Sequence, residues 1–462
     1  MNVNESVFAL REALGEQVVA LPEEFGERRV EDWSGMPGAT PLAVIRPRTT
    51  EEVARALVIC SNHKQQVVTQ GGLTGLVGGA NLLGGEVALS LDRMNRIVEI
   101  DEVSATMTVE AGTPLQAVQD AASETGFYFP LDLGARGSCT IGGNLATNAG
   151  GNRVIKYGMM RDQVLGVEAV LASGEIIGGL NKMIKNNSGY DLRHLLIGSE
   201  GTLAVITRVV LRLRPKPTAT ATAWCGLPDF AAVTTLLTRA QAGLAPGVSA
   251  FEVMWAGYHD AVIANLKNLR APLTDSYPFY VLLESVGADP VRHGEAFEEF
   301  LGGMLEAGVV SDAAIASSEA HARNFWEIRD APGEYQRFIP NHAAYDVSFS
   351  IAHVGEAAAL CETRLRARWP EATVMTYGHL GDGNIHIVVD VPGMGKHEHD
   401  DIDRVIYDVT REFKGSISAE HGIGIKKRHF LAQCRREADI EAMRAIKQAL
   451  DPQGLLNPGK VF

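Results

Sequence analysis

The sequence predicts an α+β fold on three observations. β-rich runs and helical runs are mixed along the chain rather than strictly alternating, which disfavours a doubly wound parallel sheet. Glycine supplies 48 of the 462 residues, about 10% against a usual ~7%, and the excess is clustered. A proline pair, Pro215 and Pro217, stops a long strand pattern, and the composition changes after it. At about 150 residues per domain, this length suits roughly three domains or two large ones.

In order along the chain, residues 48–62 read as a helix opening at a Thr-Glu cap. Val67-Val68-Thr69 form a short strand that runs into QGGLTGLVGGA. VALSL, RIVEI and TMTVEAG are brief strands bounded by Gly, Asp and Asn, and PLQAVQDAASETG is a helix ended by Gly126. A second glycine-rich loop, PLDLGARGSCTIGGNLATNAGG, precedes the hairpin QVLGVEAVLASGEII with Ser173-Gly174 at its turn. IGSEGTLAVITRVVLRLRPKP closes the first domain, residues 1–217. Residues 218–414 form a second α+β domain, an antiparallel sheet covered by helices, and residues 415–462 form a C-terminal segment with the helix DIEAMRAIKQAL.

With 42 basic and 56 acidic residues the net charge is -14, a field that repels nucleic acid and anionic membranes. Charges such as Glu168 and Arg208 break every apolar stretch well short of the ~20 residues of a spanning helix, so no transmembrane segment is expected. The first residues, MNVNESVFALREALGE, read as an amphipathic helix rather than a leader, which gives an expectation of cytosolic residence. Five scattered cysteines without a CxxC are expected as reduced thiols.

Both glycine-rich loops follow apolar strands and offer backbone N–H groups with no side chain in the way, the construction of a phosphate nest. Neither matches a P-loop or a Rossmann fingerprint, and each alone is equally a tight turn. In this order and spacing, however, QGGLTG, IGGNLATNAGG and IGSEGTLAVIT resemble the FAD domain of the vanillyl-alcohol oxidase / p-cresol methylhydroxylase flavoproteins. NSGYDLRHLLIGSEGTL, YGHLGDGNIH, SAEHGIG and LLNPGKVF are similar to the branch of D-2-hydroxyglutarate, D-lactate and glycolate dehydrogenases. The resemblance implies two FAD-binding subdomains in the first domain, a substrate (cap) domain, and a C-terminal helical segment that packs back on the FAD domain. It assigns FAD to Gly71, Gly72, Leu73, Thr74, Gly75, Leu76, Pro130, Gly137, Ser138, Ile141, Gly142, Asn144, Thr147, Asn148, Gly150, Glu200, Gly201, Val205, Ile206 and Asn457. Neither loop contains a histidine, so the FAD is expected to be noncovalent.

Alternation along the strand containing His386 puts Asn384, His386 and Val388 on one face and sends Ile385, Ile387 and Val389 into the core, so His386 is expected to point out of the core. Two imidazoles and a carboxylate from separate segments are the open ligand set of a catalytic zinc site, although two histidines seven residues apart are by themselves more often ordinary polar or core residues. The resemblance implies that His379, His386 and Glu420 bind a divalent metal, with zinc preferred. His421 is the candidate base for the substrate hydroxyl, and Arg329, Tyr345 and Asn384 are the candidate substrate-binding residues. Arg329 aligns with a carboxylate-binding Arg of the family; by itself it equally suits a surface Arg paired with Glu327 or Asp330.

The chain departs from the D-2-hydroxyglutarate enzymes at three places, carrying Gly333, Ala344 and Val388 where those have polar residues, with His342 or Tyr345 as candidate replacements. The expected activity is FAD-dependent, metal-assisted oxidation of a D-2-hydroxy acid, of the D-lactate or D-2-hydroxyglutarate class, to the 2-oxo acid. No NAD site is visible, so a quinone or an electron-transfer flavoprotein is the expected electron acceptor. Competing readings are a zinc hydrolase and a glycolate-oxidase-type flavin subunit that works only in a complex. Homodimerisation stays open.

Overall fold

The computed structural model describes residues 5–462, apart from the side chains of Gln336, Lys396, His397 and Glu398. The chain forms two compact units. The first runs to Gly151 and continues with Gly158–Lys216 and Glu420–Phe462; the second comprises Asn152–Tyr157 and Pro217–Ala419.

The first unit holds two sheets. One has four strands in the order Val19–Ala20, Val44–Ile45, Val87–Ser90, Val67–Gln70, with both pairings of Val87–Ser90 parallel. The helix Thr50–Asn62 packs in this core through Val53, Ala56, Leu57 and Cys60, and its N-terminus is capped by the Thr49 side chain accepting from the N–H of Glu52. The other sheet is antiparallel: Ile97–Asp101, Thr106–Glu110, Val205–Arg212, Val164–Val170, Ile176–Gly179. Gly126, at φ +79°, follows the helix Leu115–Glu124 in the left-handed region that ends a helix. The strand Val205–Arg212 stops three residues before Pro215, which instead sits in a two-residue pairing with Phe127–Tyr128.

The C-terminal tail adds to the four-stranded sheet. Val67 N–H donates to Leu455 O at 2.8 Å and Asn457 N–H to Val67 O at 2.9 Å, so the tail runs parallel to Val67–Gln70.

The second unit is one seven-stranded antiparallel sheet in the order Asp312–Ile315, Ala219–Leu227, Phe279–Gly287, Val248–Trp255, Thr373–His379, Asn384–Asp390, Ala343–Ser348. Cross-strand partners share a face, so the register fixes what each face carries. One face bears Trp224, Tyr280, Leu282, Met254, Met375, Tyr377 and Val388, buried with Tyr258, Phe325, Ile328 and Tyr335. The other bears Ile385, Ile387 and Val389 beside Tyr345 and Val347. Residues 152–157 join this unit because Arg153 pairs with the buried Glu284 and stacks over Trp326 at 4.8 Å. Trp326 donates its indole N–H to the same Glu284 at 2.9 Å. Among the described residues, no helix is long and apolar enough to cross a membrane.

The tail also buries a charge. Lys460 is 2% exposed and its Nζ has no hydrogen-bond partner. Burial pulls its pKa down to about 8, against the attraction of Glu86 and Asp32 and with a further push from Arg428. Below about pH 8 both folded and unfolded chains carry this proton, so the burial penalty is fully present. From there to the ordinary 10.5 the unfolded chain binds more protons, and raising the pH relieves the penalty. Lys460→Met is therefore expected to raise the unfolding midpoint at pH 7, by at most roughly 3 kcal/mol, with the gain vanishing towards pH 10.5. Thermal melts across that range check this; a loss of stability at pH 7 contradicts it.

Candidate functional site

The first glycine-rich loop leaves a row of donors open. Among the described residues, nothing accepts a hydrogen bond from the N–H groups of Gly71, Gly72, Leu73, Thr74, Gly75 or Leu76. Buried or half-buried amides are normally paired, so six consecutive unpaired donors in a half-buried to exposed turn are poised for an anionic ligand. A side chain on Gly72 would overlap Ser138 O of the second loop, so only glycine lets the two loops approach this closely. The Thr140 hydroxyl, buried beside Gly71, also lacks a partner.

Backbone strain collects at the same place. Of the eight non-glycine residues with positive φ among the described residues, four (Leu73, Asn148, Glu200 and Asn457) belong to the segments assigned to FAD. Such conformations each cost of order 1–3 kcal/mol and persist where the surroundings over-determine them.

The polar side chains in these segments mostly hold the scaffold. Asn457 accepts from Thr69 N–H at 2.8 Å and donates to Glu200 O at 2.7 Å, and the Glu200 carboxylate accepts from Ile423 N–H at 2.8 Å and Gly424 N–H at 2.7 Å. Burial pushes the Glu200 carboxyl up, while the Ile423 and Gly424 amides and Lys427 pull the other way. Asn148 accepts from Arg161 N–H at 3.0 Å, and Thr147 donates to Gly143 O at 3.3 Å. Asn144 is buried with its amide 3.7 Å from Cys139 Sγ. The Glu200 carboxylate and the Asn457 amide thereby join four segments of the first unit. Pro130, Gly137, Ser138, Ile141, Gly142 and Gly150 lie in or beside the second loop, and Gly201, Val205 and Ile206 run from Glu200 into the antiparallel sheet.

In the second unit, the sheet register assembles a polar site on one face. Glu252 pairs with His379, His379 with Asn384, Tyr377 with His386, and His386 with Asp346. The His379 and His386 rings lie 5.5 Å apart at 83°. Asn384 donates to Asp346 Oδ1 at 2.9 Å and to Val347 O at 3.0 Å, while its own Oδ1 is buried and unpartnered. His386 does not point out of the core as expected. Its face carries a second packed layer, with the Tyr377 ring 4.9 Å away and Val388 buried on the same side.

Arg329, at the end of the helix Glu319–Arg329, is buried. Its Nε donates to Glu252 Oε2 at 2.7 Å, its Nη2 lies 3.1 Å from His379 Nε2, and its guanidinium sits 5.3 Å from the Tyr377 ring centre. The surface alternative for Arg329 is thereby excluded, although Asp330 touches it at 3.4 Å. Burial works against the charge on Glu252, yet His379 and Arg329 outweigh it and hold its carboxyl below the usual carboxylate range. Sequence reasoning missed Glu252; the available signal was a lone acid inside the apolar run AFEVMW.

Tyr345 is corrected. It pairs with Ile387, on the face opposite His386, where its hydroxyl donates to Asp403 at 2.6 Å and its ring meets Tyr407. His342 lies against Tyr335, 5.6 Å between ring centres, and faces Ile339 O. Glu420 opens the returning segment of the first unit and accepts from Gly151 N–H at 2.6 Å. His421 follows it, ahead of the two amides gripped by Glu200. Ala419, the last residue of the second unit, donates its N–H to Asp346 Oδ2 at 3.1 Å.

The fold class is shared with solved flavoproteins of the vanillyl-alcohol oxidase / p-cresol methylhydroxylase type. 4-Ethylphenol oxidase from Gulosibacter chungangensis superposes with a TM-score of 0.76 at 18% identity, covering 99% of this chain and 96% of that one. p-Cresol methylhydroxylase gives 0.76 at 17%, with the same coverage. Residues 41–178 match the FAD binding domain, and residues 216–461 match the C-terminal domain of FAD linked oxidases, so the chain belongs to the FAD-linked oxidase family and is an FAD-dependent oxidoreductase.

Among curated relatives, D-2-hydroxyglutarate dehydrogenase of Xanthomonas citri is 39% identical over 439 residues, covering 93% of this chain and 91% of the relative. The mitochondrial D-2-hydroxyglutarate dehydrogenase of Arabidopsis thaliana is 38% identical over 460 residues, covering 99% and 82%. The open amides, the strained turns and the unpartnered Thr140 hydroxyl fit an FAD held by these loops.

The placement of Tyr345 is testable. Tyr345→Phe removes a buried hydrogen bond to a carboxylate and is expected to lower stability by about 1.5–3 kcal/mol while leaving kcat/KM for 2-hydroxy acids within twofold. A tenfold loss in kcat/KM with flavin retained would return Tyr345 to the substrate site.

Proposed function

We propose that this oxidoreductase converts D-2-hydroxy acids to 2-oxo acids, with noncovalent FAD and a divalent metal, zinc preferred, held by His379, His386 and Glu420. The single observation that carries the substrate class is Arg329: a buried guanidinium beside His379, whose ring lies 5.5 Å from that of His386, in a chain whose relatives include D-2-hydroxyglutarate dehydrogenases. Its donor-only fork suits the carboxylate common to all 2-hydroxy acids. The flavin, when bound, supplies the acceptor for the hydride that leaves C2, and the metal, when bound, lowers the pKa of the substrate hydroxyl. His421 takes the hydroxyl proton, Arg329 orients the acid, and the unpartnered Asn384 Oδ1 offers an acceptor to a polar group of the bound molecule. A quinone or an electron-transfer flavoprotein would serve as the final electron acceptor.

The donor set supports the metal. Two imidazoles share a face, and an ionised carboxylate 2.9 Å from His379 Nδ1 leaves the lone pair on Nε2, which faces Arg329 Nη2 at 3.1 Å. Chelation of the purified protein is expected to abolish flavin reduction by substrate without releasing FAD, and zinc, cobalt or manganese to restore it. Full activity in metal-free protein overturns this part.

The reading of the side chain rests on three positions. Gly333 and Ala344 are exposed, nothing lies within 4 Å of a side chain built on Gly333, and Val388 is packed among Tyr335, Tyr377 and Met375. None offers a partner to a second carboxylate, and burying an unpaired charge is expensive. D-Lactate and D-2-hydroxybutyrate are therefore expected to match or exceed D-2-hydroxyglutarate in kcat/KM with an artificial acceptor. Arg329→Ala should lower kcat/KM at least tenfold for all three. A hundredfold preference for D-2-hydroxyglutarate contradicts the small-side-chain reading.

A further inference from the structure

Glu252 is a charge in an unfavourable place. It sits 1% exposed in the middle of the strand Val248–Trp255, among Phe251, Val253 and Met254. An apolar residue there would serve the sheet at least as well, since a buried ion pair is weak evidence for stability. The carboxylate divides its two oxygens between two different groups: Oε2 accepts from Arg329 Nε at 2.7 Å, and Oε1 meets His379 Nδ1 at 2.9 Å.

Each contact decides a geometry. Taking the Nε edge of Arg329 turns Nη1 and Nη2 away from Glu252. One of these, Nη2, lies 3.1 Å from His379 Nε2 and 3.3 Å from Nδ1, and the other reaches Asp330 at 3.4 Å. At His379, an ionised carboxylate accepts and cannot donate, so Nδ1 carries the hydrogen and Nε2 keeps its lone pair. The neighbour at Nε2, a guanidinium, only donates, which agrees with that tautomer. One side chain therefore sets both the direction of the arginine fork and the tautomer of the histidine.

We propose that Glu252 is a positioning residue for this reaction, acting at once through Arg329 on the acid and through His379 on the metal. This rests on the reading of those two residues given above. The role of Glu252 runs through these two side chains. Its effect is to hold a carboxylate-binding fork and a metal-binding nitrogen in fixed relation, so that loosening it weakens both.

The test compares Glu252→Gln, His386→Ala and the unaltered holoenzyme. Glutamine keeps the shape but has one acceptor oxygen, and its NH2 faces a second donor. The expected result is retained FAD and fold, a zinc affinity lowered 10–100-fold in competition with a metallochromic chelator, and a KM for D-lactate raised at least tenfold with a smaller change in kcat. Glu252→Asp, which keeps the charge and shortens the reach by one methylene, should recover part of the zinc affinity; if Glu252→Gln fails to fold, Glu252→Asp carries the same comparison with smaller losses. Unchanged zinc affinity and KM in Glu252→Gln, with zinc lost from His386→Ala, overturns the role of Glu252 alone. Zinc retained unchanged in His386→Ala overturns the metal reading instead, and the KM of Glu252→Gln then decides whether Glu252 still positions Arg329.

Discussion

A carboxylate buried in the middle of a β-sheet must be paired, and that constraint organises the second unit. Glu252 cannot reach water, so the strand register that carries it inward also requires hydrogen-bond donors beside it. His379 arrives through the adjacent strand and Arg329 through the end of a covering helix. Tyr258 anchors that helix end by sharing its one hydroxyl hydrogen between Arg329 O at 2.8 Å and Ile328 O at 2.9 Å. The aromatic layer around this group excludes solvent, so each charge–charge contact is stronger than it would be in water.

The FAD domain solves a different problem. A row of free amides is useful to a phosphate only if the loop is held still without using those amides. Glu200 and Asn457 do this from behind: one carboxylate grips two amides of the HGIG loop, and one amide side chain joins the tail to the strand that launches the glycine-rich loop. The left-handed backbone at both residues is the conformational cost of these joints. Residues that carry the family signature in sequence thus divide into those that leave backbone amides open and those that brace them.

Legibility in the sequence followed the same division. Alternation in NIHIVVD correctly paired Asn384, His386 and Val388 on one face, because a strand with a period of two admits only that grouping. It could not tell that this face is covered, since burial depends on a helix and aromatic residues from distant segments. Tyr345 failed for a related reason: its face follows from pairing with Ile387, a register that no local pattern in AAYDVS reveals. Glu252 went unnoticed because attention to histidines and glycines passes over a single acid whose meaning lies in its partners. Arg153 and Glu284 were equally silent, one just after a glycine loop and the other inside YVLLESV. Secondary structure and the glycine loops were local properties and were legible; the charge network is tertiary and was not.

We propose that this flavoprotein takes the C2 hydride from the D-enantiomer of a 2-hydroxy acid held by Arg329. Anaerobic mixing with D- and L-lactate, followed by flavin absorbance, tests it most directly. The account predicts full bleaching by the D-enantiomer, none by the L-enantiomer, and bleaching at least tenfold slower at subsaturating acid in Arg329→Ala. Bleaching by both enantiomers at equal rates, or by neither across a panel of 2-hydroxy acids in the metal-loaded protein, would contradict it.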